Sequence, residues 1–191
     1  MLSTGRRQRS GFTLVELAVT MVLVVVLALL AAPQMRLYTV NARIHSTAEA
    51  FAASVHMARA ESIRRNAPVE VVLTDQAAIV ENVETDSLTL TGPNWIVRQP
   101  AGVEEPQGAA LFIEGFMGDA DGEMVTTGAS NTIRFNAAGG LTKGGMVKFT
   151  HGAIACAPDG AARCLRVTVS SGGSVRLCDP QATANDDTRR C

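Results

Sequence analysis

The sequence predicts an α+β chain: one long N-terminal α-helix, apolar in its first half and amphipathic in its second, packed on a C-terminal antiparallel β-rich head. Three observations predict it. An apolar run from Phe12 to Ala32 follows a short basic stretch. From Arg36 to Arg65, apolar residues recur at spacings of three and four, the period of a helix with one buried face. Beyond Asn66 the chain breaks into short β-branched runs separated by turn residues.

Residues 1–11 hold Arg6, Arg7 and Arg9 and no acid. The following run, FTLVELAVTMVLVVVLALLAA, is 21 residues long with Glu16 as its one charge. A helix of roughly 20 residues spans a bilayer core, and flanking arginines hold their end on the cytoplasmic side. In lipid the backbone must satisfy its own hydrogen bonds, so even this valine-rich run is expected to be helical. The run is too long for the apolar core of a cleaved secretory signal, although LLAAPQM could offer a cut near Ala31-Ala32. A plain membrane anchor leaves Glu16 unexplained, because a carboxylate within the hydrocarbon costs about 2.5–3.5 kcal/mol. A cut between Gly11 and Phe12 supplies a partner. Phe12 then carries a new α-amino group, and Glu16 lies four residues along the same helical face. Such a pair would set register more than add stability.

The motif Gly11-Phe12-Thr13-Leu14-Val15-Glu16 before a long apolar stretch resembles the class III leader of type IV prepilins and type II secretion pseudopilins. The resemblance implies a pilin-like fold and removal of residues 1–11 by a membrane prepilin peptidase. It also implies N-methylation of Phe12, a register role for Glu16, and retention of 12–32 as transmembrane segment and then filament core. Pro33 falls where pilins often carry a kinking proline, and it removes a helical hydrogen bond.

Residues 33–66 are expected to form the amphipathic half of the helix. Its apolar stripe runs through Leu37, Val40, Ile44, Ala48, Phe51, Val55, Ala58 and Ser62, with Arg43, His45, Glu49, Arg59 and Arg64 opposite. Asn66 suits a C-terminal cap and Pro68 cannot continue the helix. Residues 67–191 form the head. Strands are expected at 69–73, 77–81, 87–91, 95–99, 110–114, 132–136, 146–150, 165–169 and 174–178, with 115–131 as a surface loop. The hairpin LRVTVSSGGSVRLC turns at Gly172-Gly173. HMARAESIRRNAPVEVVL, GPNWIVRQP, IRFNAAGGLT and RVTVSSGGSVRLCDP resemble the GspH/FimT branch of minor pilins and pseudopilins, with 103–130 the least similar stretch.

Cys156, Cys164, Cys178 and Cys191 all lie in the last 36 residues. No C-x-x-C is present, so zinc is a poor fit, and an even count beyond an export segment favours disulfides. Of three connectivities, Cys156–Cys164 with Cys178–Cys191 is the most local, and its first loop holds a Pro-Asp-Gly turn.

Little here suggests an enzyme, a cofactor or a metal. No G-x-S-x-G elbow is present, and His45, His56 and His151 belong to no motif. GDADGE (118–123) lacks the spacing of a calcium loop. The net charge of −1 falls to −4 once the three leader arginines are removed. Some FimT-type pilins bind DNA through a basic C-terminal G-R-x-R pattern. This chain reads Gly173-Ser174-Val175-Arg176 there, so only Arg176, helped by Arg163, Arg166, Arg189 and Arg190, could contact phosphates, with Asp179, Asp186 and Asp187 close by. The resemblance implies a minor pilin that initiates or caps a type IV pilus. The alternatives are an H-type pseudopilin of a type II secretion system and, less favoured, a DNA-binding pilin. Implied partners are other minor and major pilins or pseudopilins, the prepilin peptidase and the inner-membrane assembly platform.

Overall fold

A computed structural model describes residues 12–84, 88–102, 108–118, 124–184 and 186–191, and only the backbone of 31–34. The chain falls into two compact units, with the boundary after Tyr38. One helix, α1 (Leu14–Arg65), crosses that boundary.

In the first unit, α1 opens on Thr13, whose Oγ1 accepts the Glu16 backbone N–H at 3.2 Å. That is the N-cap position, and the side chain satisfies one of the donors every helix start leaves open. The described part of the apolar run, Leu14–Leu30, is exposed on every side, with Val22, Leu27 and Leu30 at 63%, 65% and 70%. No single described helix is long and apolar enough to cross a membrane, although Leu14–Leu30 and Met35–Arg65 taken together meet that requirement. Pro33 lies inside α1, among the residues whose side chains are not described.

The second unit carries the amphipathic half of α1. Val40, Ile44, Ala48, Phe51, Val55, Ala58 and Ser62 are all buried, as their spacing predicts. The helix ends in a left-handed Asn66 (φ 50°). The Asn66 N–H donates to Ile63 O and the Ala67 N–H to Ser62 O, the paired closure that lets a helix stop before a proline.

Among the described residues nine strands follow: β1 (Val69–Thr74), β2 (Asn94–Gln99), β3 (Leu111–Phe116), β4 (Met124–Gly128), β5 (Thr132–Phe135), β6 (Leu141–Lys143), β7 (Met146–His151), β8 (Leu165–Val169) and β9 (Val175–Cys178). They form two antiparallel sheets, ordered β3-β2-β1-β5-β6 and β4-β7-β8-β9. The chain visits the second sheet at β4, returns to the first for β5 and β6, and passes to the second again between β6 and β7. There Gly144 takes φ +79°, and a Cβ would stand 2.2 Å from the Thr132 carbonyl oxygen.

The core lies between α1 and both sheets. Phe51 meets Trp95 of β2 edge-on at 5.1 Å and Phe149 of β7 at 5.4 Å, so one helix residue touches both sheets. Trp95 in turn stacks on Phe116 of β3 at 4.0 Å. β1 is buried on both faces. Val69, Val71 and Leu73 pack in the main core, whereas Val72 joins Ala78, Val83 and Ile96 in a second cluster.

That second cluster corrects two expected strands. Residues 77–81 are not a strand: Ala78 is buried, and Val80–Asn82 make a 3₁₀ turn. Both edges of β1 are already paired, with β2 and β5, so this segment covers the sheet face instead of extending it. Of the expected strand 87–91, residue 87 lies outside the described residues, and Leu88 and Thr91 make only isolated bridges, to Thr74 and Thr127. The expected loop at 115–131 is corrected too, because Met124–Gly128 is β4, an edge strand on β7. The acidic part of GDADGE, 119–123, lies outside the described residues. Leu141–Lys143 adds a short strand, β6, that the sequence pattern did not separate from its glycine-rich turn.

Candidate functional site

Two regions carry the residues singled out from sequence: the start of α1 and the cysteine-closed end of the chain. At the first, Gly11 lies outside the described residues, and Phe12 is 86% exposed just before the helix begins. Glu16 sits in the first turn, where a carboxylate meets the positive end of the helix dipole. Seven of the exposed large apolar side chains of α1 fall between Leu14 and Leu23, around this one acid. A contiguous apolar surface of that kind requires lipid or other helices.

At the second region, both disulfides form as the most local pairing: Cys156 with Cys164 and Cys178 with Cys191. The first closes a turn in which Gly160 N–H donates to Cys156 O. The second ties the tail back to β9, where the Asp179 N–H donates to Arg189 O and Arg176 Nη2 donates to Thr188 O at 2.7 Å. Asp179 and Arg190 form a bridge beside it.

The five arginines of the C-terminal region are sorted into different settings. Arg163 and Arg189 line a cavity of about 320 Å³ with Asn41, His45, Leu165 and Leu177. Arg163 donates its backbone N–H to Asn41 Oδ1 at 2.8 Å, which fixes this rim to α1. Arg189 is held by Asp187, with Nη2 to Oδ2 at 2.8 Å and Nε to Oδ1 at 3.0 Å. The Arg189 hydrogen bonds hold the Asp187 carboxyl at about 2, well below the ordinary range. Arg166 and Arg176 instead leave the second sheet on its outer face: β8 and β9 alternate, and Leu165, Val167, Val169, Val175 and Leu177 pack inward. His45 pairs with Glu49 at 3.2 Å on the exposed side of α1. Among the described residues, no three His, Cys, Asp or Glu are grouped to hold a metal ion.

Arg59 departs from its expected solvent-facing role. It is half-buried, with Nε donating to Gly139 O at 3.0 Å and Nη2 to Gly172 O at 3.2 Å. Those carbonyls belong to the β5–β6 turn of one sheet and the β8–β9 turn of the other. Helical spacing alone could not reveal this, because both acceptors come from distant turns.

Residues 47–173 match the family described as type II transport protein GspH, about two thirds of the chain. Residues 6–32 match the prokaryotic N-terminal methylation motif. No curated protein matches the sequence. Among solved structures, the type IV minor pilin FimU of Pseudomonas aeruginosa (strain PAO1) is similar in two crystal forms. The P21 form is 16% identical, with a TM-score of 0.46, covering 73% of this chain and 91% of that one. The P65 form is also 16% identical, with a TM-score of 0.43, covering 70% and 90%.

Proposed function

The chain belongs to the GspH family, and from that premise we propose that it is a minor pilin that helps initiate or cap a type IV pilus. The methylation motif and the family together imply an N-terminal helix anchored in the inner membrane. In the proposed sequence of events, prepilin peptidase cuts between Gly11 and Phe12 and methylates the new amine. The head then faces the periplasm. On leaving the bilayer, 12–32 exchanges lipid contact for contact with neighbouring helices, and Glu16 meets a Phe12 amine to set register. Desolvating that pair is repaid only with good geometry, which is what makes it a register device. The role is structural rather than catalytic, and its partners are other pilins together with the assembly platform.

The observation that carries this reading is the start of α1. A Thr13-capped helix begins within three residues of the expected cut and presents an all-round exposed apolar surface broken by Glu16. The test is Glu16→Ala in cells. Membrane insertion should persist while recovery of the subunit in sheared filaments falls several-fold; unchanged recovery overturns the register role. Gly11→Leu should leave the leader attached, a difference read by intact mass.

The matched family, type II transport protein GspH, favours a second reading, an H-type pseudopilin of a type II secretion system. Deleting the gene separates the two: loss of surface pili supports the first, and loss of a secreted enzyme with pili intact supports the second. DNA binding is weaker, because Asp187 neutralises Arg189 and this chain has Ser174 where the G-R-x-R pattern carries its first arginine.

A further inference from the structure

The outer face of the second sheet brings Lys148 and Arg166 side by side, and among the described residues no carboxylate pairs with either. Lys148 of β7 stands directly opposite Arg166 of β8 in the register, and Thr127 and Cys178 complete that row across the sheet. Directly opposed side chains sit about 4.5–5.5 Å apart at Cβ, and like charges so placed repel. Arg176 lies on the same face, on the diagonal from Arg166, about 7–8 Å away by sheet geometry. The remaining outward strand residues are Val125, Met146, Thr150 and Thr168, none of them acidic, and the tail is held against the β9 end of the face by the Arg176–Thr188 hydrogen bond and the Cys178–Cys191 disulfide. The Arg166 Nε is sealed from solvent and makes no hydrogen bond. A buried guanidinium Nε with no acceptor among the described residues, set against a lysine, costs the free subunit stability. Local violations of this kind concentrate where a protein binds something.

We propose that the Lys148–Arg166–Arg176 face docks an acidic segment of a neighbouring filament subunit, one presenting two or more carboxylates at strand-pair spacing. The proposal rests on the pilin reading above. Three cations make a small field, diluted by a net charge of −1 for the whole chain. The face offers no aromatic side chain on which a base could stack. Both features favour a carboxylate-bearing protein over a nucleic acid.

The test uses the full chain in lipid nanodiscs with a fluorescent octaglutamate peptide and, separately, an eight-nucleotide oligothymidylate. At low salt the peptide should bind, and Lys148→Gln should weaken it about two- to five-fold, the range of an exposed charge pair. Binding should vanish as salt rises. The same Lys148→Gln change should raise the melting temperature of the free protein, because it removes the repulsion from Arg166. Absent peptide binding, or binding unchanged by Lys148→Gln, overturns the proposal. Tighter binding of the oligonucleotide than of the peptide also overturns it, in favour of nucleic acid. Intact mass of the same preparation reports leader removal, so failure of the pilin reading shows separately from failure of this face.

Discussion

The indole Nε1 of Trp95 donates to Ser54 Oγ across 3.0 Å, and both residues are buried. This bond joins the central part of α1 to β2 at the point where Phe51 also meets the indole. Ser54→Ala leaves the indole N–H without its acceptor, which costs about 1–3 kcal/mol. Urea unfolding followed by Trp95 fluorescence should show a lower midpoint with an unchanged slope. An unchanged midpoint would mean that the indole finds another acceptor.

Arg59 gathers one turn from each sheet onto α1 through Gly139 and Gly172. Arg59→Lys should fail to rescue it, because an ammonium cannot reproduce the planar two-point fork. We expect both Arg59→Lys and Arg59→Met to lose stability, by about 1–3 kcal/mol. Hydrogen exchange should rise first at the Gly139 and Gly173 turns. The second turn is already constrained, since Gly173 holds φ +78° and a Cβ there would meet Gly139 O at 2.1 Å.

The Cys178–Cys191 disulfide closes a loop of 13 residues' separation, and the tail it returns carries the Thr188 carbonyl bonded by Arg176. Chain-entropy arguments assign such a loop about 3 kcal/mol. A Cys178→Ser, Cys191→Ser double variant should therefore unfold at lower denaturant. Its tail should also become sensitive to protease while β8 and β9 remain protected. Full protection of the tail would show that hydrogen bonds alone hold it.

Glu61 accepts hydrogen bonds from Arg64 and Arg65 at the end of α1, which hold its carboxyl at about 2 against an ordinary 4.5. A carboxyl lowered by folding contributes stability that is fully present above the ordinary value and lost as pH falls toward the lowered one. Stability at the end of α1 should thus decline between about pH 4.5 and 2. Carbon-detected titration of Glu61 should place its midpoint near the lower value. A midpoint near 4.5 would show the pairs to be broken in solution. Arg64 is 65% exposed, which keeps this ion pair at the surface, so salt should shrink the effect.

What the sequence determined by itself was local and periodic. The buried stripe from Val40 to Ser62, the Asn66 stop and the β8–β9 hairpin all follow from neighbours within a few residues. The pairing of the cysteines was legible for the same reason, since each bridge closes a short loop. Residues 77–81 have strand composition, and only the occupied edges of β1 turn them into a cover. Met124–Gly128 looks like a loop until β7 offers it an edge. Arg59 looks solvated until two remote turns present their carbonyls. Lys148 is unremarkable in the chain and meets Arg166 only through strand register. Periodicity tells which face of an element is apolar; which distant backbone or charge arrives at that face is decided by tertiary packing, because those partners lie tens of residues away in sequence.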